Sequence, residues 1–221
     1  MQRGSLAAVT IETTGSAAER AYAYTKGRII RGELAGGDRL SEGQICADLR
    51  LSRTPVHEAF LRLEAERLIR LSSRQGATVS PIPMSEAADV LEMRGALERT
   101  AAARITARRR DPDEVSRALE GPLARQEAAM AAGDVGAFVV ADIDFHTAVV
   151  ALSGNPIAEH FYDLLRDRQL RLAYVVLTST DVAPAASYAD HRELARCLCE
   201  HDAAGYDAVL ARHLARHQGL L

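Results

Sequence analysis

Apolar residues in the first eighty positions recur at helical spacing in three short stretches. The first runs from Ala17 to about Ile30. The second opens with Ser41–Gln44, which has the form of a capping box, with Ser41 accepting from the first turn and Gln44 reaching back. The third restarts at Ser52 or Thr54, since either side chain can cap a helix. The pattern predicts three short helices, with a tight turn between the second and the third.

A change of periodicity follows the third helix. Leu68–Leu71 and Ala77–Val79 are apolar runs on either side of the turn Ser72–Gly76, which predicts a β-hairpin. The two helices alone are compatible with a generic helical hairpin, but helices and β-hairpin together are typical of a DNA-binding module with a wing. The residues placed to contact DNA lie at the outward start of the third helix and at the hairpin tip: Arg53, Thr54, His57, Arg74 and Gly76.

The chain then changes character at Ser80-Pro81-Ile82-Pro83, where two prolines indicate a linker. Beyond it the helical period returns, and we predict helices at about 85–109, 112–132, 134–152, 156–179, 185–203 and 205–217. The expected fold is mainly α: a winged helix-turn-helix with a small hairpin wing, followed by an all-α antiparallel bundle of six or seven helices. The predicted organisation is a flexible tail (1–16), a DNA-binding domain (17–80), a linker (81–84) and a helical domain (85–221).

Composition agrees with this picture. Only 5% of the 221 residues are aromatic, while Ala, Leu, Arg and Glu are abundant, which favours helix. Residues 1–82 carry 12 Lys and Arg against 9 Asp and Glu, whereas the remainder carries 15 against 21, so the two halves are expected to have different partners. Because we find no signal peptide and no apolar run approaching a membrane span, we expect a cytoplasmic protein with no membrane partner and with reduced cysteines at 46, 197 and 199.

Two polar residues interrupt the apolar stripe of the helix at 134–152. Asp142 and His146 lie four residues apart on that stripe, so both should face the core, where an isolated carboxylate needs a cation as a partner. His191 and His213 lie on the apolar faces of two later helices. Each histidine by itself is explained by a hydrogen-bonded core position, but the four residues together predict a site for a divalent first-row metal such as zinc, nickel or manganese.

The remaining histidines and one further aspartate of the helix at 134–152 are not assigned to the predicted metal site. Asp144 points away from the stripe and is expected to be solvated. His57, His160 and His201 have no predicted metal role, and His217 is a possible substitute ligand that is better explained by a helix end.

Arg94 also lies on an inward-facing stripe, with Val90, Leu97 and Ala101. A permanent cation in that position needs an anion. Glu98, four residues on, can provide an internal salt bridge, and a bound carboxylate or phosphate is the functional alternative.

The segment LSRTPVHEAFLRLEAERLI at Leu51–Ile69 resembles the winged helix-turn-helix of the GntR family of bacterial regulators, and the motifs MRGALE, DIDFH, SGNP, HREL and RHL resemble the all-helical ligand-sensing domain of its FadR branch. The resemblance implies a homodimer that reads double-stranded operator DNA through Ser52, Arg53, Thr54, residue 57 and Gly76. It also implies a metal bound by Asp142, His146, His191 and His213, with Arg94 holding a small organic acid effector. Two departures stand out: His57 replaces the usual Arg, and Glu66-Arg67 replaces the usual acidic-Gly pair.

These observations favour a DNA-binding transcriptional regulator, expected to be a repressor, whose operator affinity is controlled by a small organic acid bridging the metal and Arg94. Two alternatives use the same four residues: a regulator in which the metal itself is the signal, and a metal-dependent hydrolase. We expect no enzyme, because the inward helix faces offer no obvious general base and catalysis would not explain the N-terminal module.

Overall fold

The computed structural model describes residues 15–72, 76–179 and 184–218, except for the side chains at 177–179 and 217–218. Arg74, predicted at the wing tip, lies outside the described residues. The chain divides into two compact units: an N-terminal unit of residues up to Ile29 together with Leu34–Pro81, and a C-terminal unit of Ile30–Glu33 together with Ile82 onwards.

The N-terminal unit is a three-helix fold with a small sheet, as the hydrophobic pattern predicted. Its elements, in chain order, are α1 (Ala17–Ile30), β1 (Arg39–Leu40), α2 (Glu42–Leu49), α3 (Arg53–Ala65), β2 (Ile69–Ser72) and β3 (Gly76–Val79). The sheet is antiparallel in the order β1-β3-β2, with Leu40 opposite Ala77 and Leu71 opposite the same residue on the other side. The sequence did not predict β1, because two residues are too few to show an alternating pattern.

The predicted capping box is absent. Ser41 is the N-cap residue of α2, but its side chain makes no capping hydrogen bond. Gln44 instead donates from Nε2 to Asp48 Oδ1 at 2.7 Å, one turn further along the helix. Ser52 likewise precedes α3 in an extended conformation without a side-chain cap. Both helix starts were placed correctly, although the predicted capping contacts do not form.

The C-terminal unit is all-helical over its described residues. Its helices are α4 (Met84–Ala107), α5 (Pro112–Ala132), α6 (Val135–Leu152), α7 (Pro156–Ser179), α8 (Pro184–Cys199) and α9 (Ala203–Gln218). The mainly α fold class is therefore confirmed, with six helices described after the linker. Within the described part of the chain all three cysteines are free, and Cys197 is buried.

One predicted helix boundary was wrong. The fifth bundle helix ends at Cys199 rather than near 203, and His201 adopts the left-handed conformation with φ 57°. Asp202 Oδ1 accepts from the backbone N–H of Gly205 at 2.8 Å, so the next helix begins at Ala203 and Gly205 lies inside it. The glycine that looked like a break is in the first turn, where the Asp202 cap leaves little room for a side chain.

Helix α6 forms the centre of this unit and contacts α4, α5 and α7. Its 18 residues, Val135–Leu152, have a mean hydropathy of 1.7. By length and composition alone, this helix could cross a membrane. The expectation that no run approaches such a span was therefore wrong. More than half of that window is buried inside the fold, as is usual for the core helix of a globular unit.

Candidate functional site

Asp142, His146, His191 and His213 meet in the core of the C-terminal unit. Asp142 and His146 project from adjacent turns of α6, while His191 comes from α8 and His213 from α9. All four side chains are buried, and one ligand atom from each lies within 4.8 Å of the others. The structure thus brings together the residues predicted as metal ligands, although they are separated by up to 71 positions in the chain.

Each of the three imidazoles turns its Nδ1 atom towards an oxygen of the surrounding fold. His146 Nδ1 is 2.8 Å from Glu98 Oε2, and His191 Nδ1 is 2.7 Å from Gln126 Oε1. His213 Nδ1 faces Asp190 Oδ2 at 3.6 Å. These oxygens only accept, so the proton of each neutral imidazole belongs on Nδ1, and the three Nε2 atoms carry lone pairs.

The orientation of Gln126 follows from its second contact. Its Nε2 donates to the Ala141 carbonyl at 3.2 Å, which leaves Oε1 for His191. The tautomer of His213 has independent support, because Arg94 Nη2 lies 3.2 Å from its Nε2 and a guanidinium can only donate. The same tautomer is therefore favoured in all three rings.

This arrangement concentrates acceptors at one point. The Nε2 atoms of His146 and His191 are 3.1 Å apart, and Asp142 Oδ1 is 3.3 Å from His191 Nε2. Neither oxygen of the buried Asp142 carboxylate has a hydrogen-bond partner within the described part of the chain. Lone pairs facing one another at this distance repel unless a cation lies among them, so the donor set fits a divalent metal.

The electrostatics of the ligand set agree with its geometry. Burial raises the pKa of Asp142 to about 6, against the opposing charge of Arg94. Burial also lowers the pKa of His213, which keeps this imidazole in the neutral form that metals require. By contrast, burial would raise the pKa of Asp190, but the neighbouring His213 imidazole and the guanidinium groups of Arg212 and Arg216 overcome it and hold that pKa at about 2.

Arg94 forms the internal salt bridge that the sequence offered as one of its two explanations. Its Nε donates to Glu98 Oε1 at 2.8 Å, and both side chains are almost completely buried. Glu98 also accepts from Tyr162 at 2.9 Å, from His146 and, at a longer 3.4 Å, from Tyr206. With four donors around its carboxylate, Glu98 has no acceptor site left to offer a ligand.

A small cavity lies beside Arg94. It encloses about 10 Å³, which is about the space of one water molecule. Its lining comes from α4 and α7: Val90, Leu91, Arg94, Gln169, Leu172 and Ala173. An organic acid would not fit without a separation of these two helices.

Sequence reasoning missed the residues that hold the imidazoles. The sequence pattern predicted Glu98 only as a partner for Arg94 and predicted no role for Gln126 or Asp190. A signal for Gln126 was present, since it continues the buried stripe of α5 that includes Val115, Leu119 and Ala129. No such signal was present for Asp190, because its partners Arg212 and Arg216 lie on another helix.

The remaining polar predictions had mixed outcomes. Asp144, expected to be solvated, is partly buried and accepts from Arg125 at 3.1 Å and from Arg166 at 2.8 Å. His160 is exposed and His201 half-buried, and neither joins the metal cluster. The side chain of His217 lies outside the described residues.

The predicted DNA-contacting residues lie at the start of α3. Ser52, Arg53, Thr54 and His57 are all exposed there. His57 has a partner that was not predicted, since its Nδ1 is 2.7 Å from Glu42 Oε1 on α2. Gly76 has φ +80°, and a Cβ there would lie 2.6 Å from the carbonyl oxygen of Leu40, so the strand pairing alone explains a glycine at this position.

Comparison with known proteins gives two family matches. Residues 17–79 match the family model described as bacterial regulatory proteins, gntR family, and residues 89–216 match the FCD domain. A relative from Streptomyces ambofaciens, named as an uncharacterized HTH-type transcriptional regulator in an unstable DNA locus, is 30% identical over 87% of this chain and 80% of its own length. The HTH-type transcriptional repressor RspR of Escherichia coli K12 is 24% identical over 93% of this chain and 91% of its own.

Solved structures agree with these matches. A putative GntR transcriptional regulator from Rhodococcus sp. RHA1 aligns with a TM-score of 0.73 and 25% identity, covering 93% of this chain and 97% of the other. The Escherichia coli protein McbR/YncC aligns with a TM-score of 0.71 at 22% identity, which supports the fold.

Proposed function

This chain belongs to the GntR family of bacterial regulatory proteins and carries an FCD domain, and we propose that it is a repressor controlled by a small organic acid bound beside a metal. Like its relatives, it is a transcriptional regulator and not an enzyme. The observation that carries the finer proposal is the convergence of three Nε2 atoms and an unpaired carboxylate next to Arg94.

Operator DNA is proposed to bind at the exposed start of α3. Arg53 offers a permanent charge for phosphate or a fork for guanine, and Ser52 and Thr54 offer hydroxyl groups. A homodimer supplies two such helices for the two halves of a palindromic operator. Selection from a palindromic DNA library at moderate salt should yield one sequence, and native mass spectrometry should give twice the 23.9 kDa chain mass. Failure to enrich any sequence over competitor DNA would overturn the DNA-binding assignment.

The metal is proposed to bind through Asp142, His146, His191 and His213, with zinc, nickel and manganese as candidates. When bound, it would supply positive charge and coordination positions for an acid carboxylate. Glu98, Gln126 and Asp190 hold the rings in the required orientation. Loss of such a supporting residue commonly weakens metal binding by about 10–100-fold. Elemental analysis of the purified protein identifies the metal.

Charge balance favours an anionic effector. Arg94 carries one positive charge, and Glu98 and Asp142 carry one negative charge each, so these three side chains sum to one negative charge with neutral histidines, while the buried Asp190 is paired with Arg212 and Arg216. A divalent metal makes that sum singly positive, and the carboxylate of a small acid restores neutrality. Arg94 also donates to His213 Nε2, and this bond must break before His213 can serve as a ligand. An acid carboxylate that accepts from Arg94 instead therefore favours metal binding, and the metal favours the acid.

The signal is proposed to reach DNA through α4. The cavity beside Arg94 is too small for an acid, so binding must separate α4 from α7. Helix α4 begins at Met84, five residues after the wing strand β3 ends at Val79. A shift of α4 on acid binding then changes the relative populations of states that bind the operator well or poorly.

Replacement of Arg94 tests this assignment. Arg94→Ala should abolish the response to acid while operator binding persists, as measured by fluorescence anisotropy on the selected operator. Because Arg94→Ala leaves Glu98 with one donor fewer in the core, the double variant R94M/E98Q, which removes both charges, provides a second version less exposed to misfolding. A folded variant of either kind that still responds to acid would contradict the role of Arg94.

The small cavity also favours a second candidate, a regulator for which the metal alone is the signal. Titration of metal against operator affinity, with and without organic acids, separates the two. DNA binding that follows metal and is unchanged by every acid would establish this second candidate in place of the first.

A further inference from the structure

Gln169 on α7 is a buried polar side chain without a hydrogen-bond partner. It is 3% exposed, and neither its Nε2 nor its Oε1 bonds to any group in the described part of the chain. Gln126 on α5 shows what a structural glutamine in this core looks like: it is fully buried and bonded at both ends of its amide. A buried amide with two unmet hydrogen bonds destabilises the fold, so its presence calls for an explanation.

The position of Gln169 supplies the explanation. It lines the small cavity together with Arg94, and the rest of the lining is apolar. Arg94 is thereby the only charged group and Gln169 the only neutral polar group of the described lining. A widened version of this cavity would present a cation at one point and an amide at another, within an apolar wall.

We infer that Gln169 selects a hydroxycarboxylic acid by hydrogen bonding to its hydroxyl group while Arg94 binds the carboxylate. The inference rests on the proposed function, since it names the chemical class of the acid effector. A hydroxyl group both accepts and donates, so one hydroxyl oxygen can accept from Nε2 and donate to Oε1. A keto oxygen satisfies only the donor end of the amide, and a methylene group satisfies neither.

Matched acids test the selection directly. Acetate and glycolate, propionate and lactate, and succinate and malate each differ by one hydroxyl group. Isothermal titration calorimetry of the zinc-supplemented full chain should show, for at least one pair, binding of the hydroxy acid about tenfold tighter than its partner, which corresponds to a net gain of about 1.4 kcal/mol from the hydroxyl group. In Gln169→Leu the preference should fall to about twofold or less, because leucine has a similar size and no hydrogen-bonding group.

The melting temperature without any acid distinguishes a selective role of Gln169 from a structural one. The two roles predict changes of opposite sign when Gln169 is replaced by leucine. Gln169→Leu should raise the melting temperature by about 2–6 °C, because it removes two unmet hydrogen-bonding groups from an apolar wall. The matched control Gln126→Leu should lower it, because that change breaks two existing hydrogen bonds. A fall in Gln169→Leu similar to that in Gln126→Leu would show a structural role and overturn the inference.

The outcomes separate this inference from the proposed function. If wild-type protein binds both members of every pair equally, Gln169 has no selective role, but an acid effector at Arg94 stands. If wild-type protein binds none of the six acids, the acid effector itself is refuted, and the role of Gln169 falls with it.

Discussion

Two residues of the N-terminal unit, Gly76 and Arg67, both adopt a positive φ. Gly76 was predicted as a wing residue that contacts DNA, yet its positive φ and its approach to β1 require a glycine whatever the wing touches. Arg67 shows the converse: it adopts φ 60° although it carries a side chain, at the position where the resembling family usually has glycine. These two residues lead to predictions that do not depend on the ligand.

Gly76→Ala should destabilise the N-terminal unit by about 2 kcal/mol or more, because the new Cβ meets the Leu40 carbonyl and φ is unfavourable. Gly37→Ala is the matched control, with φ +94° and no atom within 4 Å of its Cβ, so it should cost only about 1 kcal/mol. Urea denaturation followed by circular dichroism measures both. Equal losses in the two variants would show that the contact with β1 does not matter.

Arg67→Gly should raise the free energy of unfolding by about 0.5–1 kcal/mol, since glycine adopts positive φ without strain. The gain is reduced because glycine loses more conformational entropy on folding than arginine does. Arg67→Ala also removes the exposed side chain but keeps Cβ, and should give no gain. The same urea titrations apply. A stability loss in Arg67→Gly would indicate that the Arg67 side chain contributes more than its backbone conformation costs.

At the scale of secondary-structure elements, helices are joined by polar contacts that cross long stretches of sequence. Tyr22 and Lys26 of α1 both donate to Glu66 at the end of α3, at 2.5 Å and 2.7 Å. Burial alone would raise the pKa of Glu66, but these two hydrogen bonds and the charge of Lys26 lower that pKa below its ordinary value. The ionised form of Glu66 therefore holds α1 against the end of α3.

This contact predicts a pH dependence of stability. Because the folded-state pKa of Glu66 is lowered, its stabilising contribution is complete above its unfolded pKa and is lost as pH falls through the folded value, from about pH 5 downwards. Glu66→Gln should remove that part of the acid sensitivity. Melting temperatures from about pH 6 to pH 3 for both proteins give the comparison, and identical pH profiles would contradict this role for Glu66.

On the scale of the whole molecule, a functional centre is built from parts of α4, α5, α6, α8 and α9. Removal of metal tests that centre without DNA or effector. Chelation of the wild-type protein should lower the melting temperature of the C-terminal unit, since a ligand bound only by the folded state stabilises it by about 4 kcal/mol at a thousandfold excess over Kd.

Asp142→Ala should abolish this metal-dependent difference and, in the absence of metal, melt above chelated wild-type protein, because no unpaired carboxylate remains in the core. Asp144→Ala, two residues along α6 with its carboxylate paired to arginines on the surface, should retain the difference. Calorimetry before and after addition of zinc, nickel or manganese provides the measurement. Retention of the metal effect in Asp142→Ala would exclude this carboxylate as a ligand.

Local sequence patterns were enough to predict the helices, the hairpin and the inward faces of Asp142, His146, His191, His213 and Arg94. These properties follow from local periodicity and from the burial of apolar stripes, which each segment shows within a few turns of its own chain. The two-residue strand β1, the capping contacts and the end of α8 were missed or wrong, because they depend on single hydrogen bonds whose alternatives differ little in energy.

The groups that surround these inward-facing side chains depend on how the helices pack and could not be predicted from the sequence. Glu98, Gln126 and Asp190 fix the imidazole tautomers from three different helices, and Gln169 meets Arg94 across a cavity between α4 and α7. A periodic pattern tells which face of a helix is buried but not which residue of another helix it meets. That pairing depends on how the helices pack, since the energy of a buried polar group is determined by its actual partner and not by its place in the sequence.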